Sequence, residues 1–180
     1  MTGKSKLTAG AQAPDFTVAD ARGNRIQLSE FQGRLNVVLV FLRYAGCPIC
    51  QLSLQELKNA YAGFQARDAQ VIAFVQSPAA TLNKSGNVDA FPFPIIPDPE
   101  EAIYKLYHVG SGALGALLAP DTLRRGLKAT LKGHKQGKME GNTWQLPGDF
   151  IVDKNGVLKL ARVGRNMGDN LSPEDLLSHL

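Results

Sequence analysis

Two cysteines stand three apart in a chain of 180 residues, as Cys47-Pro48-Ile49-Cys50. Cysteine reacts as its thiolate, so the question is whether the local structure favours the anion. Residues 36–42, Asn-Val-Val-Leu-Val-Phe-Leu, form a continuous apolar, β-branched run that predicts a strand buried on both faces. From about Ile49 to Ala66 the apolar residues Leu52, Leu54, Leu57, Tyr61 and Phe64 mark one stripe of a helix. Cys47 therefore falls at the helix N-cap. Pro48 takes the first helical position, where its missing N–H costs nothing. Cys50 lies one turn on and on the same face, so the two sulfurs can reach bonding distance. A helix start stabilises an anion by roughly 0.3–1 kcal/mol, and by about 2 when partly buried. At about 1.4 kcal/mol per pKa unit, a thiol near 8.5 would fall to roughly 7. Arg43, four residues before Cys47, adds to this if its side chain turns toward the loop.

Three other uses of a close cysteine pair are weighed against redox chemistry. A structural zinc site needs four ligands, yet there is no second pair, and His108, His134 and His179 are scattered. Two inert buried thiols, or a soft-metal carrier site, are the remaining alternatives. Neither a metal nor a cofactor is expected.

The elements that must position the pair follow from periodicity and turn residues. Short strands are predicted at 16–18 and 25–28, around a turn at Ala21-Arg22-Gly23-Asn24. Residues 71–75 read as a second buried strand and 77–88 as a helix. A short strand spans 93–96, and Asp98-Pro99-Glu100 opens a helix running to about Tyr107. Residues 110–146 are Gly-rich and then basic, with Arg124, Arg125, Lys128, Lys132, Lys135 and Lys138 against Asp121 and Glu140. One helix is predicted there, near 120–131. A hairpin follows, 149–152 and 157–163 about Asn155-Gly156, and a last helix starts at Ser172-Pro173-Glu174. Strand–helix alternation closed by a hairpin implies a mixed sheet with helices on both faces.

Bulk properties agree with one α/β domain over residues 1–180, carrying a mobile or loosely docked arm at 1–13 and a basic insertion at 110–146. Hydrophobic residues make up 44% and charged residues 20%, and no apolar run approaches the length of a membrane span. The N-terminus shows no apolar signal core, so a cytoplasmic protein is expected. A net charge of +4 is too modest to indicate nucleic acid, and no membrane partner is expected.

The segments LTAGAQAPDFTVADARGNRIQLSEFQGRLNVVLVF, FPFPIIPDPEEAIYKLYHVG and GDFIVDKNGVLKLARVG resemble the peroxiredoxin and thiol-specific antioxidant superfamily. FLRYAGCPIC, NTWQLPGDFIVD and RVGRNMGDN are most similar to its subgroup with a thioredoxin-type Cys-x-x-Cys. The resemblance implies a thioredoxin-like fold: a central mixed sheet flanked by helices, an N-terminal peroxiredoxin-type hairpin extension, and the basic insertion before the final hairpin. It implies an antioxidant thiol oxidoreductase that cycles a Cys47–Cys50 dithiol and disulfide. Protein disulfides or hydroperoxides would be its substrates, and thioredoxin or glutathione its reductant. The family carries Pro-x-x-x-Thr-x-x-Cys plus an arginine before the late hairpin. Here Cys50 occupies the peroxide-attacking position, Cys47 replaces the threonine, Arg43 replaces the proline, and Pro147 stands where the arginine is expected.

In the thioredoxin register Pro147 is a cis-proline packed against the cysteine pair, and Cys47 is the nucleophile. In the peroxiredoxin register the nucleophile is Cys50. Both stay open. Tyr44 and Trp144 are candidates to line the site, although hairpin or core packing is the commoner role for each. Arg162 is a candidate to face the thiolate, or merely solvent. The rival class is a non-catalytic, redox-responsive binding protein that engages a partner through the basic insertion.

Overall fold

A computed structural model describes residues 7–85 and 88–180. The chain orders as β1 (Thr17–Ala19), β2 (Arg25–Gln27), β3 (Asn36–Phe41), α1 (Pro48–Gln65), β4 (Ala69–Val75), α2 (Ala79–Ser85), β5 (Ile95–Pro97), α3 (Ala102–Leu106), α4 (Leu114–Leu117), α5 (Pro120–Leu131), β6 (Gly148–Val152), β7 (Leu158–Val163) and α6 (Pro173–Ser178). Five strands form one sheet in the order β5-β4-β3-β6-β7, and β1 pairs with β2 in a separate hairpin. β3 runs parallel to β4 and antiparallel to β6, which makes the sheet mixed.

β3 is central because its side chains serve two cores. Val38, Val40 and Leu42 join Leu54, Leu57, Tyr61 and Phe64 of α1 on one face. Val37, Leu39 and Phe41 meet Tyr104, Tyr107 and Phe150 on the other. Phe41 and Phe74 stack there at 4.6 Å between ring centroids, with Tyr104 edge-on to Phe41 at 5.0 Å. Both faces being apolar, the strand reads as a continuous hydrophobic run rather than an alternating one. Its C-terminal end opens into the cysteine loop, the end where open α/β sheets place their sites.

The final hairpin follows its turn chemistry. Asp153 Oδ1 accepts the amides of Asn155 and Val157, and Gly156 takes a φ of +80°, which suits a residue without Cβ.

Three expectations shift. The helix after Asp98 starts later, at Ala102, because Glu101 sits left-handed at φ 55° and the Asp98 carboxylate accepts the amides of Ala102 and Ile103. The helix expected over 77–88 is shorter, Ala79–Ser85, and residues 86–87 lie outside the described residues. Of the N-terminal arm, residues 1–6 lie outside the described residues. The remainder is docked: Gly10 donates to the Leu158 carbonyl, Leu158 donates to Ala11, and Ala13 donates to Gly156. β7 is an edge strand, and this segment satisfies backbone groups the edge would otherwise leave open.

Candidate active site: a cysteine pair at the start of α1

Cys47 is the N-cap of α1, Pro48 occupies its first turn, and the Cys47 sulfur accepts the Cys50 amide at 3.4 Å. The sequence places all three by the rule that proline suits a helix start and that a cap needs an acceptor. Arg43 lies between the end of β3 and the loop. Its Nη2 donates to Cys47 Sγ at 3.0 Å, and its backbone amide donates to Cys50 Sγ at 3.4 Å. Arg43 thus serves both sulfurs, one with a charge and one with a backbone dipole.

That guanidinium is fixed from the far side of the chain. Nη1 donates to the Thr143 carbonyl at 3.2 Å and to Met167 Sδ at 3.3 Å, and the plane lies 5.5 Å from the Tyr44 ring centroid. Its Nε is buried without a partner among the described residues. Below the loop, the buried Tyr104 hydroxyl shares its proton between the carbonyls of Leu42, just after β3, and Phe74, near the end of β4. Gln76 N donates to the Arg43 carbonyl, and Ser77 Oγ accepts the Ala45 amide. The backbone feeding the cysteines is therefore pinned at each step.

The two thiols are driven apart electrostatically. Burial opposes ionisation of Cys47, yet the Cys50 thiol, the Arg43 charge and the Cys50 amide together bring it down to about 6. Burial pushes Cys50 the other way, well above the ordinary thiol value. Its hydrogen bond to the Cys47 sulfur and repulsion from the Cys47 anion add to that. These opposed shifts favour ionisation of Cys47 over Cys50.

Both sulfurs are buried, Cys47 completely (0% exposed). Residues 135–144 lie over the loop. Gly137 N donates to the Gly46 carbonyl at 2.8 Å, and a Cβ on Gly46 would fall 2.7 Å from the Gly137 carbonyl carbon and closer still to the Lys138 oxygen. Glycine is required at 46 by that close approach. Beside this strap a cavity of about 260 Å³ is lined by Arg43, Tyr44, Gln136, Met139, Thr143, Trp144 and Met167.

The sequence-predicted residues divide accordingly. Cys47, Cys50, Pro48 and Arg43 assemble into one cluster. Tyr44 is buried beside it, its hydroxyl accepting from Gln136 Nε2 at 3.3 Å. Trp144 does not pack in a core: it is 40% exposed and borders the cavity next to Arg43. Arg162 neither faces a thiolate nor points freely to solvent. It pairs with buried Asp149 at 3.3 Å and with Asp169, two carboxylates on its own side of the sheet.

Pro147 is trans, since no peptide bond among the described residues is cis. The extended chain explains the difference. The Pro147 carbonyl accepts Gly164 N–H at 2.8 Å, continuing the β6–β7 pairing, and Leu146 N donates to Gly110. Proline fits there because it presents no N–H at a position that needs only an acceptor. Tyr104, Thr143 and Met167 are site-forming residues that sequence reading missed. Among the described residues no group of three or more His, Cys, Asp or Glu side chains gathers as metal ligands would.

A mixed, helix-flanked sheet with a dithiol at the start of the helix after its central strand defines a thioredoxin-like thiol oxidoreductase. Residues 9–161 match the AhpC/TSA family, and the chain belongs to it. It is similar to alkyl hydroperoxide reductase E of Mycobacterium tuberculosis, 33% identical over 159 residues that cover 87% of this chain and 86% of that one. It is also similar to the thiol-disulfide oxidoreductase ResA of Geobacillus kaustophilus, at 24% identity over 182 residues, covering 99% and 80%. In fold it resembles peroxidoxin BcpB of M. tuberculosis, with a TM-score of 0.68, 18% identity and 96% of each chain covered.

Proposed function

We propose that the protein is a dithiol oxidoreductase in which the Cys47 thiolate attacks and Cys50 resolves. The observation that carries this is the unequal set of donors on the two sulfurs: the Arg43 Nη2 cation at 3.0 Å on Cys47, and only a backbone amide at 3.4 Å on Cys50. With a pKa of about 6, Cys47 is about nine-tenths thiolate at pH 7, against a few per cent for an ordinary thiol.

Against a disulfide, the Cys47 sulfur forms a mixed disulfide and expels one substrate sulfur as a thiolate. Cys50 then gives up its proton, which passes to a leaving thiolate, and attacks the Cys47 sulfur. The second substrate sulfur leaves and a Cys47–Cys50 disulfide remains. Against a hydroperoxide, the same thiolate takes the terminal oxygen as the O–O bond breaks, leaving Cys47 sulfenic acid, and the departing alkoxide takes a proton from water to become the alcohol. Cys50 then displaces water from the Cys47 sulfenic acid. Both routes oxidise the pair by two electrons and end in the same disulfide.

The two relatives named above carry these two activities in their names, which supports a reaction of this class without choosing between them. The cavity beside Arg43 has room for a small hydroperoxide, but neither cysteine lines it and Cys47 is fully buried. Either substrate therefore requires the 135–144 strap to move, a protein disulfide the more so. Arg43 supplies a cation at the sulfur from a position where the family pattern has proline. Thioredoxin or glutathione would return the pair to its reduced form, and a cytoplasmic setting suits that cycle because those pools keep dithiols reduced.

Single-cysteine variants test the order of attack. Treated with hydroperoxide or a model disulfide, Cys50→Ser should accumulate Cys47 sulfenic acid or mixed disulfide, and Cys47→Ser should accumulate neither. Trapping on Cys50 in the Cys47→Ser variant, with none on Cys47, would reverse the assignment.

A further inference from the structure

The large apolar side chains most exposed among the described residues are Leu118, Leu123, Leu127, Leu131, Met139 and Trp144, and all fall between residues 118 and 144. The four leucines are between 59% and 79% exposed, far beyond the scattered single exposures that need no explanation. Leu123, Leu127 and Leu131 recur every fourth residue of α5 and so form one row. Arg124, Lys128 and Lys132 recur at the same interval, one position on, and form a second row beside it. Thr122 and Ala129 face inward and are buried. The exposed sides of α5 thus carry an apolar row and, on one flank, a cationic row that lines clefts shared with Glu56, Glu174, Asp121, Asp169 and Asp175. Lys135 extends the positive charge beyond the helix end, whereas Lys138 pairs with Glu140 at 3.3 Å.

The helix is held firmly enough to present these rows. Arg125 pairs with Glu56 of α1 at 3.0 Å and also reaches Ser53 Oγ, while Lys128 meets the other Glu56 oxygen at 2.7 Å. Leu123 and Leu127 of the row, with Leu118, line a groove of about 400 Å³ together with Pro48, Ile49 and Arg43. Trp144 and Met139 flank Arg43 on its other side.

We propose that this face docks on an anionic lipid surface, with the leucine row entering the acyl boundary and the cationic row on the headgroups. A row of leucines on the outer ridge of a helix, with cations along one flank, suits a fluid layer of headgroups over acyl chains. Such a layer needs no complementary shape, whereas a protein partner would need one. Arg124, Lys132 and Lys135, which form no ion pair among the described residues, name an anionic surface rather than a neutral one. The lack of a spanning helix among the described residues does not bear on this, because an interfacial helix lies in the membrane plane. Docking would bring the mouth beside Arg43 to the lipid, but the inference stands on the surface alone and is independent of which sulfur attacks.

Co-sedimentation of the full chain with vesicles tests it. Wild type should pellet with phosphatidylcholine containing one-third phosphatidylglycerol, should do so less at high salt, and should remain in solution with phosphatidylcholine alone. Leu123→Gln with Leu127→Gln should lower partitioning roughly tenfold per leucine. Arg124→Gln or Lys132→Gln should lower it about fivefold each. These residues are exposed, and an unchanged Cys47 alkylation rate would show that the fold is intact. Equal binding to neutral vesicles, or binding indifferent to the leucine pair, overturns the proposal. So does absence of vesicle binding. In that event a concentration-dependent dimer abolished by the same leucine variants would assign the face to a second copy, and binding of polyglutamate would assign it to an acidic polypeptide.

Discussion

Replacing Arg43 by methionine keeps an unbranched apolar stem in the same space and removes only the guanidinium. The lost contact is a charge-assisted hydrogen bond of 3.0 Å to a buried sulfur. Such a bond is worth about 1.5–3 kcal/mol, which corresponds to roughly 1–2 pKa units. Cys47 should therefore move from about 6 to between roughly 7 and 8. The rate consequence changes sign with pH, because a more basic thiolate is also a better nucleophile, with a Brønsted slope of about 0.4–0.5. Take a rise of about 1.5 units. At pH 5.5 the thiolate fraction falls roughly 20-fold and intrinsic reactivity rises about fivefold, so iodoacetamide should react about four- to fivefold more slowly. Near pH 7 the two effects cancel. At pH 9 both proteins are ionised and the variant should react about fivefold faster. The assay is the pH–rate profile of alkylation, with the modified residue identified by mass spectrometry. A variant profile that still breaks near 6 would show that Arg43 does not hold the thiolate, and a uniform rate loss at every pH would refute the Brønsted argument.

The other sites carry their own expectations. Gly46→Ala should push the 137–138 backbone outward, lowering stability by about 1–3 kcal/mol. A bulky alkylating reagent should then gain access to Cys47 relative to a small one, and an unchanged ratio of the two rates would contradict the strap's covering role. Burial raises the Asp149 carboxyl to about 7 despite Arg162 and the Leu171 amide. The folded state therefore holds a proton that the unfolded chain releases near 4, and stability should fall as pH rises from about 4 to 7. Asp149→Asn should flatten that slope in urea titrations at successive pH values. Cys47 contributes the opposite slope: its folded value lies below the unfolded one, so its contribution is full above about 8.5 and is lost as pH falls through about 6. Glu56→Gln weakens the contacts of both Arg125 and Lys128, so amide exchange in α5 should speed up several-fold while that in β3 stays unchanged.

Sequence reading located what local pattern determines. The doubly buried strand at 36–41 and the cap at Cys47 follow from runs of β-branched residues and from Pro48 alone. The helix at 120–131 begins at Pro120 and Asp121 as a helix start should, and its boundaries need no tertiary information. What stayed out of view depends on distant partners. Whether Arg43 turns toward Cys47 is decided in part by the Thr143 carbonyl, a hundred residues away, and by Met167. Tyr104 sits on a short helix whose register gives no hint that its hydroxyl spans the ends of β3 and β4. Arg162 alternates correctly along β7, yet its partners Asp149 and Asp169 become visible only once the hairpin is paired. Pro147 misled because the family comparison supplied an isomer, whereas the extended pairing with Gly164 sets the one observed.

The central claim is that one sulfur of the pair, Cys47, is anionic at neutral pH and the other is not. Measuring thiolate absorbance against pH, in the reduced wild type and in Cys47→Ser and Cys50→Ser, tests it most directly. One thiolate should appear in the wild type with a midpoint near 6, persist in Cys50→Ser, and vanish below pH 8 in Cys47→Ser. A wild-type midpoint at 8.5 or above, or a low-pH thiolate that disappears with Cys50 instead, would contradict the account.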